Sequence, residues 1–376
     1  MAFTDLFFLF SFLPVSLAAY YFAKENIREY VLLAVSLVFY ACGSFAHLGL
    51  FCGAVAVNIL LGQLLSASCP GGASESAARN RLLRKALLFT GVLFDVSLLV
   101  FYKYIRTDTG LPLGISFFTF KALSYLADTY AGRAGEGNHP VRAALYLSFF
   151  PQVQSGPLSR YRDMQRKGSL FSEGACQFIH GFAKKALLAD SLGHIPAETF
   201  AARPDSMSTA YAWLGAVCYS LQLYYDFSGY SDMAAGISKM FGYSCPRNFQ
   251  YPYLADSVAA FWRKWHMTLG AWFRDYIYLP LGGSRVSSKG LLYRNLFAVW
   301  MLTGIWHGAG WKFVFWGFVY FLCIAFEKTK GLPQTIHSRP GRALYRILTL
   351  LIVVFQWVIF RSQGLRAGIR YAWTMV

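Results

Sequence analysis

Apolar residues fall in long runs separated by short polar or basic stretches. The runs long enough to approach a bilayer crossing lie at 5–22, 30–47, 49–66, 86–103, 112–130, 208–226, 295–310, 311–326 and 346–361. A hydrocarbon core of about 30 Å takes roughly 20 mainly apolar residues, each rising about 1.5 Å. Several of these runs are shorter, which predicts re-entrant pieces or helices buried against others. A bilayer tolerates such elements only inside protein. The pattern predicts an all-α, polytopic integral membrane bundle with short re-entrant and interfacial helices, in a single domain over residues 1–376. Two stretches differ. Residues 143–157, AALYLSFFPQVQSGP, are apolar but interrupted by Pro151 and Pro157, and residues 222–283 mix aromatics with charges. The Ser/Gly/Ala-rich segment 66–78 predicts a flexible loop.

Composition sharpens this picture. The chain is 56% hydrophobic and only 14% charged, where a soluble domain carries about 25% charged residues. Its 35 Lys+Arg against 18 Asp+Glu give a net charge of +17. The basic residues sit between hydrophobic runs, which speaks against nucleic acid and for the Lys/Arg bias of cytoplasmic loops. Two loops carry that bias. Residues 67–85 hold Arg79, Arg81, Arg84 and Lys85 against Glu75, and residues 158–190 hold six basic residues against Asp163, Glu173 and Asp190. Both are predicted to be cytoplasmic. Three spans precede the first loop, so the N-terminus is expected outside. The start MAFTDLFFLF lacks a basic n-region, so it is read as a first membrane helix and not as a cleaved signal. The seven cysteines include no CxxC and outline neither a disulfide framework nor a zinc site. Cys42, Cys52, Cys218 and Cys323 lie in apolar runs and are read as small packed side chains.

Three places carry candidate chemistry. In 261–283, Phe261, Trp262, Trp265, Leu269, Trp272 and Phe273 fit a helical stripe, and Trp262 and His266, four apart, would share one face. Arg263, Lys264, Arg274 and Asp275 make this stretch too polar to face lipid. It is either an interfacial amphipathic helix with snorkelling basic residues or the wall of a cavity. His266 is accordingly an interfacial hydrogen-bonder or a site residue. In YYDFSGYSD, Asp226 and Asp232 are acids within an aromatic segment, and Gly229 offers a turn or a close approach. Intramembrane carboxylates are either functional or paired with a base. In GIWHGAGWKF, His307 ends an apolar stretch beside Trp306, Gly308, Ala309 and Gly310. Small neighbours suit both substrate approach and plain helix packing. His139, His180, His194 and His337 stand in polar or basic contexts and read as surface or interface residues, and His47 lies at the end of a span. No Walker A, G-x-G-x-x-G, H-E-x-x-H or G-x-S-x-G motif occurs. A histidine base would therefore serve direct transfer to a substrate hydroxyl.

The ordered set FFPQVQSGPLSRYRD, LQLYYDFSGYSDMAAGI, FWRKWHMTLGAWFRDYIYLPLGG, YRNLFAVWMLTGIWHGAGWKFVFWG and WVIFR resembles the membrane-bound O-acyltransferase family over residues 3–362. The likeness is to its bacterial branch, which modifies alginate, peptidoglycan and teichoic acid. The resemblance implies a many-helix bundle whose two funnels meet at a central tunnel. It places the near-invariant histidine of the family on His307 and a second functional histidine on His266. It implies acyl transfer, most simply of acetyl from acetyl-CoA or another acyl thioester serving as co-substrate, with no tightly bound cofactor and no metal. The acceptor is expected to be an extracytoplasmic polysaccharide, reached through a hydrolase-like relay partner outside a bacterial inner membrane. His307 would act as general base. His266 or an indole N–H would face the oxyanion. Trp306, Trp262, Asp226, Arg263 and Arg274 would bind substrate, with Asp226 orienting one of the histidines. Tyr320 and Phe321 occupy the place where some relatives carry a further His-Gly pair. Relatives continue for several helices past WVIFR, so those C-terminal helices are expected to be missing or replaced here. The alternatives are a proton-coupled transporter or flippase with Asp226, Asp232 and His307 as relay, or a non-catalytic scaffold of an export complex.

Overall fold

The computed structural model describes residues 1–68, 75–106, 110–134, 139–203 and 206–376. The described residues are helices and connecting turns without a β-strand. They gather into two compact units. One holds residues 1–182 and 230–246, the other residues 183–229 and 247–376.

In the first unit a π-turn at Phe8–Phe12 leads into α1 (Leu13–Phe22), followed by α2 (Arg28–Ser44), α3 (Leu48–Ala67), α4 (Glu75–Val100), α5 (Ile115–Tyr130), α6 (Pro140–Ser148) and α7 (Phe171–Ala183). The core is aromatic: Phe3, Phe8, Phe12, Phe39 and Phe150 are all buried and meet ring to ring. α3 and α4 are joined by a buried polar pair, Asn58 Nδ2 donating to Asp95 Oδ1 at 2.9 Å, the kind of bond that ties membrane helices together. Pro151 and Pro157 interrupt helix formation as expected. Phe150–Gln152 forms a single buried 3₁₀ turn after α6.

The second unit contains α8 (Asp190–Ala201), the first two-thirds of α9 (Thr209–Met240), α10 (Val258–Lys264), α11 (Met267–Phe273), a π-turn at Arg274–Tyr278, α12 (Lys289–His307), α13 (Trp311–Lys330), α14 (Arg339–Arg361) and α15 (Leu365–Thr374). Serine hydroxyls start three of these helices. Ser257, Ser288 and Ser338 accept from the backbone N–H groups of Ala260, Leu291 and Gly341, which satisfies donors that a helix cannot pair internally. α12 and α13 cross almost backbone to backbone. A Cβ on Gly304 would run into the Phe313 carbonyl, and one on Gly317 would lie 2.5 Å from the Trp300 oxygen. This crossing sets the pitch of the helix end that carries His307.

Several expectations change. Three described stretches are long and apolar enough to cross a membrane: Glu25–Ala67, which holds α2 and α3, Asn80–Ile105, and Arg339–Arg361. The runs 295–310 and 311–326 belong to α12 and α13, whose outer turns carry Lys289, Arg294, Glu327, Lys328 and Lys330. The run 208–226 is the front of a 32-residue helix that continues unbroken through Gly229, so that glycine makes no turn. The predicted loop 66–78 is helical on both flanks, and its centre, 69–74, lies outside the described residues. Cys218 is buried, but Cys42 and Cys52 are exposed on outward helix faces instead of packed. Residues 261–283 do not form one helix. The chain breaks at His266, whose φ of 45° no α-helix accommodates.

Candidate active site

Side chains from α9 to α14 of the second unit wall a cavity of about 420 Å³. Leu223 and Phe227 come from α9, and the segment 262–278 supplies Trp262, Arg263, Trp265, His266, Phe273, Arg274 and Tyr278. α12 adds Leu296, Trp300, Thr303 and His307, and α13 and α14 close the far wall with Trp316, Trp357 and Phe360. The lining is mostly aromatic. Trp262 meets Trp300, Trp316 and Tyr320 edge-on at centroid distances of 5.1, 5.3 and 4.9 Å. Such packing fixes the walls, because a large ring has few alternative placements in a dense interior.

His266 is placed by a corner. Its φ of 45° and ψ of 51° are left-handed, a conformation that costs a non-glycine residue free energy and persists only where neighbours hold it. Asn248, itself buried, is the neighbour. Its backbone oxygen accepts from Met267 N–H at 2.9 Å. Its Oδ1 accepts from the Thr268 hydroxyl at 2.8 Å and Thr268 N–H at 3.3 Å, and meets His266 Nδ1 at 3.1 Å. Phe227 stands edge-on to the imidazole at 4.6 Å. The corner belongs to no candidate span. Burial, with the charge of His307 adding to it, pushes His266 down to about 3. The ring is therefore neutral near pH 7.

His307 is the last residue of α12, half-buried, with its ring among Trp306, Trp316 and Phe360 at 4.6, 5.2 and 5.1 Å. The chain beyond it is anchored by Lys312, whose ammonium donates to the carbonyls of Phe360 at 3.0 Å and Ser362 at 2.5 Å. α13 and α14 are thus pinned together beside the histidine. α10 is set by Glu327 of α13. This buried carboxylate accepts from Val258 N–H at 2.7 Å, Ala259 N–H at 2.8 Å and the Tyr345 hydroxyl at 2.8 Å. A carboxylate at a helix N-terminus satisfies free donors and complements the helix dipole.

Of the residues singled out from the sequence, His307, His266, Trp262, Arg263 and Arg274 line this one cavity. Trp306 does not line it, but packs on the His307 ring. Asp226 is not brought to the cavity. It pairs with Lys185 at 2.8 Å and is 48% exposed, so it orients neither histidine. Asp232 accepts from Gln177 Nε2 at 3.3 Å within the other unit. His139, His180, His194 and His337 are exposed. Arg274 is paired with Asp275 at 2.8 Å, whereas Arg263 makes no ion pair among the described residues. Asn248 and Glu327 were missed. Each is one polar residue at the edge of an aromatic or apolar run, and only the contact it makes far along the chain distinguishes it.

A model of the membrane-bound O-acyltransferase family matches residues 114–365, a stretch that includes every residue lining the cavity. The chain is 38% identical to the probable alginate O-acetylase AlgI of Pseudomonas syringae pv. tomato, over 98% of this chain and 74% of that protein. It is 31% identical to the peptidoglycan O-acetyltransferase of Helicobacter pylori, over 98% of this chain and 78% of that protein. With the teichoic acid D-alanyltransferase of Bacillus subtilis it shares 29% identity, over 67% of this chain and 69% of that protein.

Proposed function

The chain belongs to the membrane-bound O-acyltransferase family, and from that membership we propose that it moves acetyl from a cytoplasmic thioester donor, acetyl-CoA in the simplest case, to a hydroxyl of a cell-envelope polysaccharide or of a relay partner outside a bacterial inner membrane. The observation that carries this is the meeting of His266 and His307 on one apolar cavity. The acceptor class follows from the relatives, whose names point to alginate, peptidoglycan and teichoic acid. The Lys/Arg bias of segments 67–85 and 158–190 supports a reading with both in the cytoplasm and the N-terminus outside.

In the proposed reaction His307 takes the proton of the attacking hydroxyl as its oxygen adds to the thioester carbonyl. The new C–O bond forms, the C–S bond breaks, and the departing thiolate recovers the proton from His307. The apolar walls keep out water that would hydrolyse the donor. Arg263, without an acidic partner, and Arg274 attract the phosphates of an anionic donor. Trp306 braces the ring of the base. Trp262, whose indole N–H is buried without a partner among the described residues, is the donor we assign to the oxyanion. One such donor contributes about 2.7–4 kcal/mol.

The test is thiol release from acetyl-CoA by purified protein, with and without a soluble oligosaccharide acceptor. Wild type should release thiol faster when acceptor is present. His307→Ala should lose at least about a hundredfold in turnover, the scale of a general base, while keeping its fold. Turnover by His307→Ala within a few-fold of wild type sinks the assignment of the base. Absence of thiol release by wild type with any acyl thioester sinks the acyl-transfer proposal.

A further inference from the structure

The bonds at the α10–α11 corner decide which proton His266 carries. Asn248 Oδ1 lies 3.3 Å from Thr268 N. A backbone N–H is an obligatory donor, so the Asn248 atom facing it is the carbonyl oxygen and not the amide nitrogen. The Thr268 hydroxyl donates to the same oxygen at 2.8 Å. A carbonyl oxygen only accepts. His266 Nδ1, 3.1 Å from that oxygen, must therefore bear the hydrogen. A neutral imidazole has one N–H, so Nε2 is left with a bare lone pair. Nε2 has no hydrogen-bond partner among the described residues, and His266 lines the cavity.

We propose that Asn248 is a positioning residue that locks His266 in the Nδ1–H tautomer, so that His266 offers the cavity a hydrogen-bond acceptor and receives a hydroxyl hydrogen of the acceptor substrate. This rests on the acyl-transfer function above and revises one part of the expectation from sequence. A neutral His266 held this way cannot donate to an oxyanion. Its place is on the side of the incoming alcohol, where it holds a substrate hydroxyl while His307 takes the proton of the attacking one. Asn248 does this without touching substrate. The same side chain holds Thr268 and, through its backbone oxygen, Met267, so the left-handed turn and the tautomer have one cause.

The test has a part that needs no activity. Protein labelled with ¹⁵N at its seven histidines is prepared in detergent, and the His266 signals are identified by their loss in His266→Gln. Wild type should show a protonated Nδ1 and an unprotonated Nε2 at neutral pH, the opposite of the tautomer that histidine favours in water. Asn248→Leu removes the accepting oxygen at similar volume. It should shift His266 toward Nε2–H and lower kcat tenfold or more, with KM for the thioester within about twofold. Asn248→Asp retains an accepting oxygen. It should keep the Nδ1–H form and stand well above Asn248→Leu in kcat. Nε2–H in wild type overturns the proposal whatever the variants do, and so does a folded Asn248→Leu with an unchanged tautomer. Should Asn248→Leu not fold, the wild-type spectrum still decides. A correct tautomer in a protein that releases no thiol leaves the geometry standing and overturns the function it was assigned.

Discussion

At the scale of single residues, the site depends on desolvation. His266 sits at about 3 instead of 6.5, first because it is buried and second because His307 is near. The consequence for stability has a definite sign. Between those two values the unfolded chain holds a proton that the folded chain refuses. Stability therefore rises with pH through this window and is lost as pH falls from 6.5 toward 3. The expected outcome is a Tm in detergent that drops over that range in wild type and drops less steeply in His266→Gln. Equal slopes in the two proteins mean that the folded state accepts the proton easily and that the ring is wetter than its surroundings imply. Charged residues show the opposite lesson. An acid in such company is either functional or paired with a base, and for Asp226 a nearby lysine supplies the pair.

At the scale of elements, short helices are placed by bonds from elsewhere. α10 has seven residues and α11 has seven. Isolated helices of that length are not stable in water. Glu327 holds the start of α10 with two backbone N–H groups, and Asn248 holds the corner where α11 begins. Hydrogen bonds to a charged group contribute about 1.5–3 kcal/mol each, and leaving their partners buried and unmet costs about as much again. Glu327→Ala is expected to lower Tm by several degrees and to weaken turnover by loosening Trp262 and Arg263. Glu327→Gln keeps one acceptor and should fall between. Denaturation in detergent and turnover, measured on the same preparations, check this order, and an alanine variant as stable as wild type would show that α10 is held by packing alone. The periodicity in 261–273 predicts one helix because the apolar spacing continues past the break. A left-handed residue in the middle leaves the pattern of side chains intact while turning the backbone.

At the scale of the whole molecule, the second unit encloses about 420 Å³ of mostly apolar space beside two histidines. If substrate enters this space, filling it should stop turnover without unfolding the protein. Thr303 is buried on the cavity wall, its hydroxyl returned to the Val299 carbonyl at 2.7 Å. Thr303→Trp is expected to lose transfer by a hundredfold or more with Tm changed little. Retained turnover in that variant would move the reaction to another part of the chain. Much of this was legible in the sequence. Grouped apolar runs, the deficit of charge and the basic loops require a helical membrane protein, because backbone polar groups in hydrocarbon must pair within each helix. The ordered motifs around His266 and His307 singled out the two histidines without any coordinates. What only the tertiary structure decided is which of the polar residues converge. Asn248 reaches His266 across 18 residues of chain and Glu327 reaches Ala259 across 68, and Asp226 turns to Lys185 instead of to a histidine. Hydropathy and spacing act along a helix and cannot encode these choices. They are set by which side chains the packed helices leave within about 3 Å of a donor in need of an acceptor.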